Sequence, residues 1–244
     1  MSNKTNYKKF VIDSRSDYIV YLRMIIVQSH KLLKRLNKYS DELNHKIDEL
    51  NLRNKPNALF DTEIYEEFND KIGNVEHRLL NIVGDLQTDS ISYYKFRKML
   101  LKRNIEVKND LGTLSEEMES NLSTVNVSRN WALHMPESLL HAQIENIKEI
   151  WDKKELQEFL TKFNPVGVPY FKKYQGKWLI SLYEQCVGNL SLYEEVYKSM
   201  LSDYEKLLGI EPIINEIQYG ERDFESEIKL PQTSFAMQQR KYNK

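Results

Sequence analysis

Glycine, proline and cysteine are all scarce in this chain of 244 residues, which contains 8 glycines, 6 prolines and one cysteine. With so few residues that interrupt regular structure, a composition rich in Leu, Lys, Glu, Ile and Asn favours long helices over a sheet with many turns. The single cysteine, Cys186, has no second cysteine to pair with and occupies an apolar position in a helical pattern. We therefore expect it to be a small core residue of a cytoplasmic protein.

Long hydrophobic runs and several common catalytic motifs are also absent. The best apolar run, Ile19 to Val27, is short and carries Arg23, so neither a signal peptide nor a membrane span is expected. The sequence contains no glycine-rich phosphate loop, no Cys-x-x-Cys, no His-Glu-x-x-His and no Gly-x-Ser-x-Gly. These absences argue against nucleotide hydrolysis and zinc proteolysis, and no cofactor is expected.

Apolar residues recur every three to four positions through most of the chain, which predicts an all-α fold. The pattern indicates a bundle of about five long helices, at about residues 17–52, 61–87, 90–122, 136–163 and 179–207. Ser16 or Asp17 is the expected cap of the first helix, and Gly209 is expected to end the fifth.

The segment 164–176 carries two prolines and two glycines and is predicted to be a loop. We interpret it as a connection within one bundle, which makes residues 1–244 a single helical domain. Residues 1–15 are expected to be a flexible start and residues 221–244 a polar tail. The regular apolar stripe of the fifth helix can seal a bundle or pair chains, and the bundle interpretation is preferred.

Reactive side chains are concentrated between Ser128 and His141, where Arg129 is followed by Asn130 and, after four intervening residues, by His134. This Arg-Asn-x-x-x-His sequence resembles the Arg-x4-His signature of HEPN ribonucleases. That family includes abortive-infection proteins, toxins of toxin–antitoxin pairs and RNA-cutting CRISPR effectors. The resemblance covers these six residues and the fold class. Pro136 departs from the pattern, because it places His134 just before the fourth helix instead of within it.

The resemblance implies an HEPN-like helical bundle in which the motif lies at a joint between helices and two copies meet in one site. RNA carries its own nucleophile, the 2′-hydroxyl, so cleavage needs proton transfer and a cation at phosphorus, and a metal is not essential. His134 suits proton transfer because the reference pKa of histidine is about 6.5. Arg129 offers a planar cation to phosphate oxygens, and the resemblance gives Asn130 a supporting role.

Two other interpretations of the same stretch remain open. His134, Glu137 and His141 have a spacing of three and four, which is compatible with a metal site, although Pro136 interrupts the helix and no metal is predicted. Alternatively, Arg129 and Asn130 cap a helix turn while His134 packs beside Trp131.

A second candidate region combines basic and aromatic residues and could follow an RNA backbone. The predicted RNA-binding residues are Tyr93, Lys95, Arg97, Lys98, Lys102 and Arg103. A net charge of -1 argues against coating nucleic acid by bulk charge but allows such a local groove. The basic cluster Lys31, Lys34, Arg35 and Lys38 is interpreted as a solvated helix face.

The sequence therefore predicts a metal-independent endoribonuclease of the HEPN type that acts on RNA as a homodimer. A role in bacterial anti-phage defence or as a toxin, with an antitoxin or regulatory protein as partner, follows only from the resemblance. The alternative is a non-enzymatic helical interaction protein, such as an adaptor or antitoxin. In the ribonuclease interpretation, replacing Arg129 or His134 by Ala should abolish cleavage and leave the melting temperature nearly unchanged.

Overall fold

The computed structural model describes residues 10–88, 90–133, 137–149, 152, 154–155, 158 and 170–217. Within these ranges the chain is predominantly helical, which confirms the fold class in its coarse form. The longer helices, in chain order, are α1 (Arg15–Glu49), α2 (Thr62–Gly84), α4 (Ile105–Leu111), α5 (Glu116–Leu133), α6 (Glu137–Lys148) and α7 (Lys177–Leu208). Between α2 and α4, the single turn α3 (Tyr93–Lys95) continues as a π-helical turn (Phe96–Leu100) and a 3-10 turn (Leu101–Arg103).

The first helix starts two residues before its predicted beginning, because Ser14 is its N-cap instead of Ser16 or Asp17. The carboxylate of Asp17 accepts hydrogen bonds from the backbone N–H of Ser14 at 2.8 Å and from its hydroxyl at 2.7 Å. An acidic side chain in the first turn also favours the positive end of the helix dipole. Asp17 is therefore not the N-cap but the residue of the first turn that bonds back to the N-cap, Ser14.

The core lies where α1 packs against α2 and α7, and α5 packs against α2. Five residues of α7 at intervals of seven are buried: Leu179, Cys186, Tyr193, Met200 and Leu207. This burial agrees with the preferred interpretation, in which the stripe of the fifth predicted helix packs inside the bundle. Cys186 is a core residue, as predicted, and burial raises the pKa of its thiol to about 11.

Two short strands were not predicted from the sequence. β1 (Leu59–Asp61) pairs antiparallel with β2 (Lys173–Gln175), so that Phe60 lies opposite Tyr174. The predicted loop at 164–176 therefore contains a strand; its residues 164–169 lie outside the described ranges. Strand pairing between distant segments leaves no helical periodicity that a sequence pattern could detect.

The third predicted helix is divided into several pieces. Asn104 has an extended backbone and its side chain accepts the N–H of Val107 at 3.1 Å, so α4 begins there. Gly112 ends α4 with φ +66° and ψ −167°, a backbone conformation that favours glycine. Ser115 then accepts the N–H of Met118 at 3.1 Å at the start of α5. These local caps outweigh the continuous apolar periodicity.

By its internal contacts the chain divides into two compact units, residues 1–212 and residues 213–244. The first unit holds all the elements named above. Of the second, residues 213–217 are described and have no regular secondary structure, while the predicted tail at 221–244 lies outside the described part. Among the helices that the structure describes, none has the length and apolar character needed to cross a membrane.

Candidate functional site

The predicted catalytic stretch falls at the end of α5 and the start of α6. Arg129 and Asn130 lie in the last turn and a half of α5, which ends at Leu133, and α6 begins at Glu137. His134, the predicted proton-transfer group, lies outside the described residues, as do the two residues that follow it. The described ends of the two helices thus bracket His134 without giving its geometry.

Arg129 is buried, with 7% of its surface exposed, and all three of its guanidinium nitrogens are engaged. Nη2 lies 3.0 Å from Oδ2 of Asp85, in a pair whose two side chains are 8% and 9% exposed. Nε donates to Oδ1 of Asn81 at 3.1 Å, and Nη1 donates to Oδ1 of the exposed Asn130 at 3.1 Å. The charge of Arg129 is therefore balanced by a buried carboxylate, and the arginine also holds the amide of Asn130.

Glycine at position 84 allows the close approach that this ion pair requires. A Cβ atom on Gly84 would lie 2.9 Å from the backbone nitrogen of Asn126 and 2.9 Å from Cγ1 of Val125. The last turn of α2 thus rests directly on α5, one turn before Arg129, and Asp85 follows at once. The sequence pattern indicated a tolerated interior glycine in a helix, whereas the structure gives it a packing role.

Asp85 is itself fixed by its neighbours. Its Oδ1 accepts the N–H of Gln87 at 2.9 Å, and its backbone carbonyl accepts the hydroxyl of Ser92. The hydroxyl of Tyr21 in α1 accepts the N–H of Ser92 at 3.0 Å and lies 3.2 Å from its carbonyl oxygen. Burial raises the pKa of Tyr21 to about 12. Arg129 is therefore linked through segment 85–92 to the core helix α1.

Next to Arg129, the surface of α5 is apolar. Trp131 is 49% exposed and Val127, one turn earlier on the same face, is 52% exposed. Spacing by four residues places their side chains side by side on a helix. The predicted packing of His134 beside Trp131 involves a residue that lies outside the described ranges.

The predicted RNA-binding run is divided between the interior and the surface. Tyr93 is fully buried; its hydroxyl donates to Oδ2 of Asp203 at 2.8 Å, and desolvation raises its pKa. Lys95 is also buried, and its ammonium donates to the carbonyls of Thr88 and Ser90. In this arrangement neither residue presents a surface to a nucleic acid. Tyr93 reaches α7 through Asp203, whereas Lys95 is held by the segment that precedes α3.

Arg97 is a buried residue that also lines a surface cleft. Its side chain is 4% exposed, Nη1 lies 3.5 Å from Oδ2 of Asp203, and Nη2 donates to the carbonyl of Gly112 at 3.1 Å. Nη1 has no hydrogen-bond partner among the described atoms. Desolvation raises the pKa of the Asp203 carboxyl, and Arg97 opposes this shift. Arg97 therefore connects the turn at Gly112 to Asp203 of α7.

Lys98, Lys102 and Arg103 are exposed, and the first two line a cleft of about 180 Å³ that also includes Lys108 of α4. We call it the basic cleft. Its lining residues are Tyr94, Arg97, Lys98, Leu101, Lys102, Lys108, Gly112, Thr113, Leu114 and Glu119. Arg103 is not among them. The basic run in the sequence indicated the 97–102 part of the cleft. Lys108 and Glu119 join it from α4 and α5, beyond the helix breaks at Asn104 and Gly112.

Among the described residues, no group of three or more His, Cys, Asp and Glu side chains is arranged to hold a metal ion. Of the three residues considered as metal ligands, Glu137 and His141 are exposed on α6, and His134 is not described.

The fold and the site thus define a predominantly helical protein with a buried arginine at a helix joint and a nearby basic cleft. No protein-family model matches the chain, and comparison with curated proteins and with solved structures gave no match. The resemblance to HEPN ribonucleases accordingly rests on the six residues of the motif and on the helical fold class.

Proposed function

We propose that this protein is a metal-independent endoribonuclease of the HEPN type, with its active site at the joint between α5 and α6. The observation that supports the proposal is the link between Arg129 and Asn130 one turn before His134. A buried cation holds an exposed amide at the helix end next to the only histidine of the motif.

The geometry suggests different tasks for the three motif residues. Asp85 already neutralises Arg129, so we assign to Arg129 the positioning of Asn130 and of the end of α5. Asn130 is exposed and can donate its amide hydrogens to the ribose or to a phosphate oxygen. His134 would take the proton of the 2′-hydroxyl or deliver one to the leaving 5′-oxygen. Cleavage by this route gives a 2′,3′-cyclic phosphate and a 5′-hydroxyl.

A non-enzymatic helical interaction protein is the second candidate, and one observation favours it. The buried pair of Arg129 with Asp85 is a sufficient structural reason for an arginine at this position, and the exposed Val127 and Trp131 offer an apolar surface to a partner. In that case His134 has no chemical task, and the protein leaves RNA intact.

Cleavage is expected to continue in EDTA and to fall at both acidic and strongly alkaline pH, because a neutral histidine must accept the proton of the 2′-hydroxyl and a protonated histidine must deliver a proton to the leaving oxygen. The measurement is the rate of cleavage of mixed RNA by pure protein across a pH series with chelator present. The matched control is the same RNA with 2′-O-methyl groups, which lack the nucleophile and should remain intact. Cleavage that requires added zinc or manganese would contradict the proposal and would favour His134, Glu137 and His141 as metal ligands.

The active species is expected to be a homodimer, since one His134 cannot act as base for the 2′-hydroxyl and acid for the leaving oxygen at once. A two-fold axis brings a second histidine without new sequence. Val127 and Trp131 are exposed apolar residues beside the motif, and we assign the contact to them.

Light scattering and activity across a dilution series test the dimer, followed by mixing wild-type chains with His134→Ala chains. Activity should fall as the dimer dissociates, and mixed dimers should have less than half the wild-type rate. Full specific activity in a monomeric sample would contradict the proposed dimer.

A further inference from the structure

The basic cleft is lined by three lysines. Lys98, Lys102 and Lys108 form no ion pair with a described carboxylate, although the ammonium of Lys98 donates to the hydroxyl of Tyr94 at 2.9 Å. By contrast, Arg97 beneath them is paired with Asp203. The cleft thus holds three uncompensated ammonium groups against one carboxylate, that of Glu119.

The shape of the cleft depends on two uncommon backbone features. The π-helical turn at Phe96–Leu100 closes with a hydrogen bond from the N–H of Leu101 to the carbonyl of Phe96, and this wider turn carries Arg97 and Lys98. Gly112 ends α4 in a conformation that favours glycine, and its carbonyl accepts the hydrogen bond from Arg97. Turns of π-helix occur frequently at functional sites. The buried Arg97 thus connects the π-helical turn, which carries the exposed Lys98, to the end of α4 at Gly112.

The volume of the cleft limits what it can hold. At about 180 Å³ it is smaller than the roughly 300–1,000 Å³ of pockets that enclose drug-sized ligands. The cleft therefore does not enclose a ligand of that size, whereas a single phosphate group with bound water fits. Lysine ammonium groups bind phosphate as point charges and need no fixed fork geometry.

We infer that the basic cleft binds a phosphate group, and that in this protein the group is a backbone phosphate of single-stranded RNA. The choice of RNA as the source rests on the proposed function, because a free phosphate would meet the same lysines. Glu119 and Arg129 lie ten residues apart on α5, which corresponds to about 15 Å along the helix axis. A strand held in the cleft can therefore extend to the end of α5, which His134 follows in the sequence.

Binding of a 2′-O-methyl oligonucleotide, measured by fluorescence anisotropy, tests the inference without any dependence on cleavage. The test variant replaces Lys98, Lys102 and Lys108 by Gln. The matched control replaces Lys31, Lys34 and Lys38, three exposed lysines of the basic cluster on α1, in the same way. Both variants lose three positive charges, so a difference between them reports on the cleft and not on net charge. Thermal unfolding checks that both remain folded.

We expect the cleft variant to weaken binding at least about tenfold and to reduce the slope of log K against log salt by about 2, since each contact with a single strand contributes about 0.7. The α1 control should retain its slope. Glu119→Gln, which removes the carboxylate of the cleft, should strengthen binding. Equal losses in both lysine variants, or no loss in either, would overturn the inference.

Calorimetric titration with inorganic phosphate at constant ionic strength separates the two sources of the phosphate group. Loss of both phosphate and oligonucleotide binding in the cleft variant supports the inference in full. Loss of phosphate binding alone supports the site but overturns RNA as its ligand. Because the oligonucleotide cannot be cut, a failure of the ribonuclease proposal leaves this result unchanged.

Discussion

Replacing Arg129 by Ala is expected to lower the free energy of unfolding by about 3–5 kcal/mol, the cost of removing one partner of a buried ion pair. The change leaves the carboxylate of Asp85 buried without its cation, and Asn81 and Asn130 each lose a hydrogen bond. This result differs from the sequence-based expectation of an unchanged melting temperature. The reason is the burial of Arg129, which the sequence pattern does not reveal.

Urea denaturation of the two proteins gives this difference directly. Lys148→Ala is the matched control, because it breaks the exposed pair of Lys148 with Glu145, whose side chains are 47% and 49% exposed. Exposed pairs contribute about 1 kcal/mol or less. If Arg129→Ala were as mild as the control, the buried network at the end of α2 would not stabilise the fold, and Arg129 could be assigned to direct phosphate contact.

Replacing His134 by Ala is expected to lower the rate of RNA cleavage by about 10²- to 10⁴-fold, which is the usual contribution of general acid–base catalysis. His134 is the only motif residue that can exchange a proton near neutral pH. Arg129→Ala reduces activity as well, but partly through unfolding, so the comparison must be made per folded molecule. His134→Gln, which keeps hydrogen bonding without proton exchange at neutral pH, should be as inactive as His134→Ala.

The control for this prediction is His45→Ala, which removes an exposed histidine of α1 and should leave cleavage unchanged. Activity and thermal unfolding are measured on the same samples. A His134→Ala protein that remains folded and cleaves RNA at the wild-type rate would contradict the ribonuclease proposal. It would favour the interpretation of the motif as a packing feature.

Regular apolar periodicity predicted much of the fold. The predicted first and last helices, 17–52 and 179–207, correspond to Arg15–Glu49 and Lys177–Leu208. Their apolar residues alone determine which face is buried, so the pattern is sufficient. The prediction of one continuous third helix was wrong because two residues interrupt it. The side chain of Asn104 caps the start of α4, and Gly112 ends α4 with a positive φ angle. The two strands were not predicted because residues 59–61 pair with residues 173–175, which are distant in the sequence.

The candidate site was less accessible from the sequence, since it depends on burial. Tyr93 and Lys95 have the residue types of an RNA-binding surface, yet α3 turns both toward the core. Asp85 and Gly84 carry no motif, and their importance follows from contacts with α5. Lys108 joins the basic cleft from α4, beyond the helix break at Asn104. The spacing of charges in a sequence does not specify which of them share a cavity.

The proposal that this chain cuts RNA without a metal is tested most directly by analysing the ends of the products. RNA of defined sequence is incubated with the pure, folded protein in EDTA, and the fragments are identified by mass spectrometry. The proposal predicts fragments that end in a 2′,3′-cyclic phosphate and begin with a 5′-hydroxyl, because the 2′-oxygen is the nucleophile. Intact RNA, or fragments with a 3′-hydroxyl and a 5′-phosphate, would contradict it.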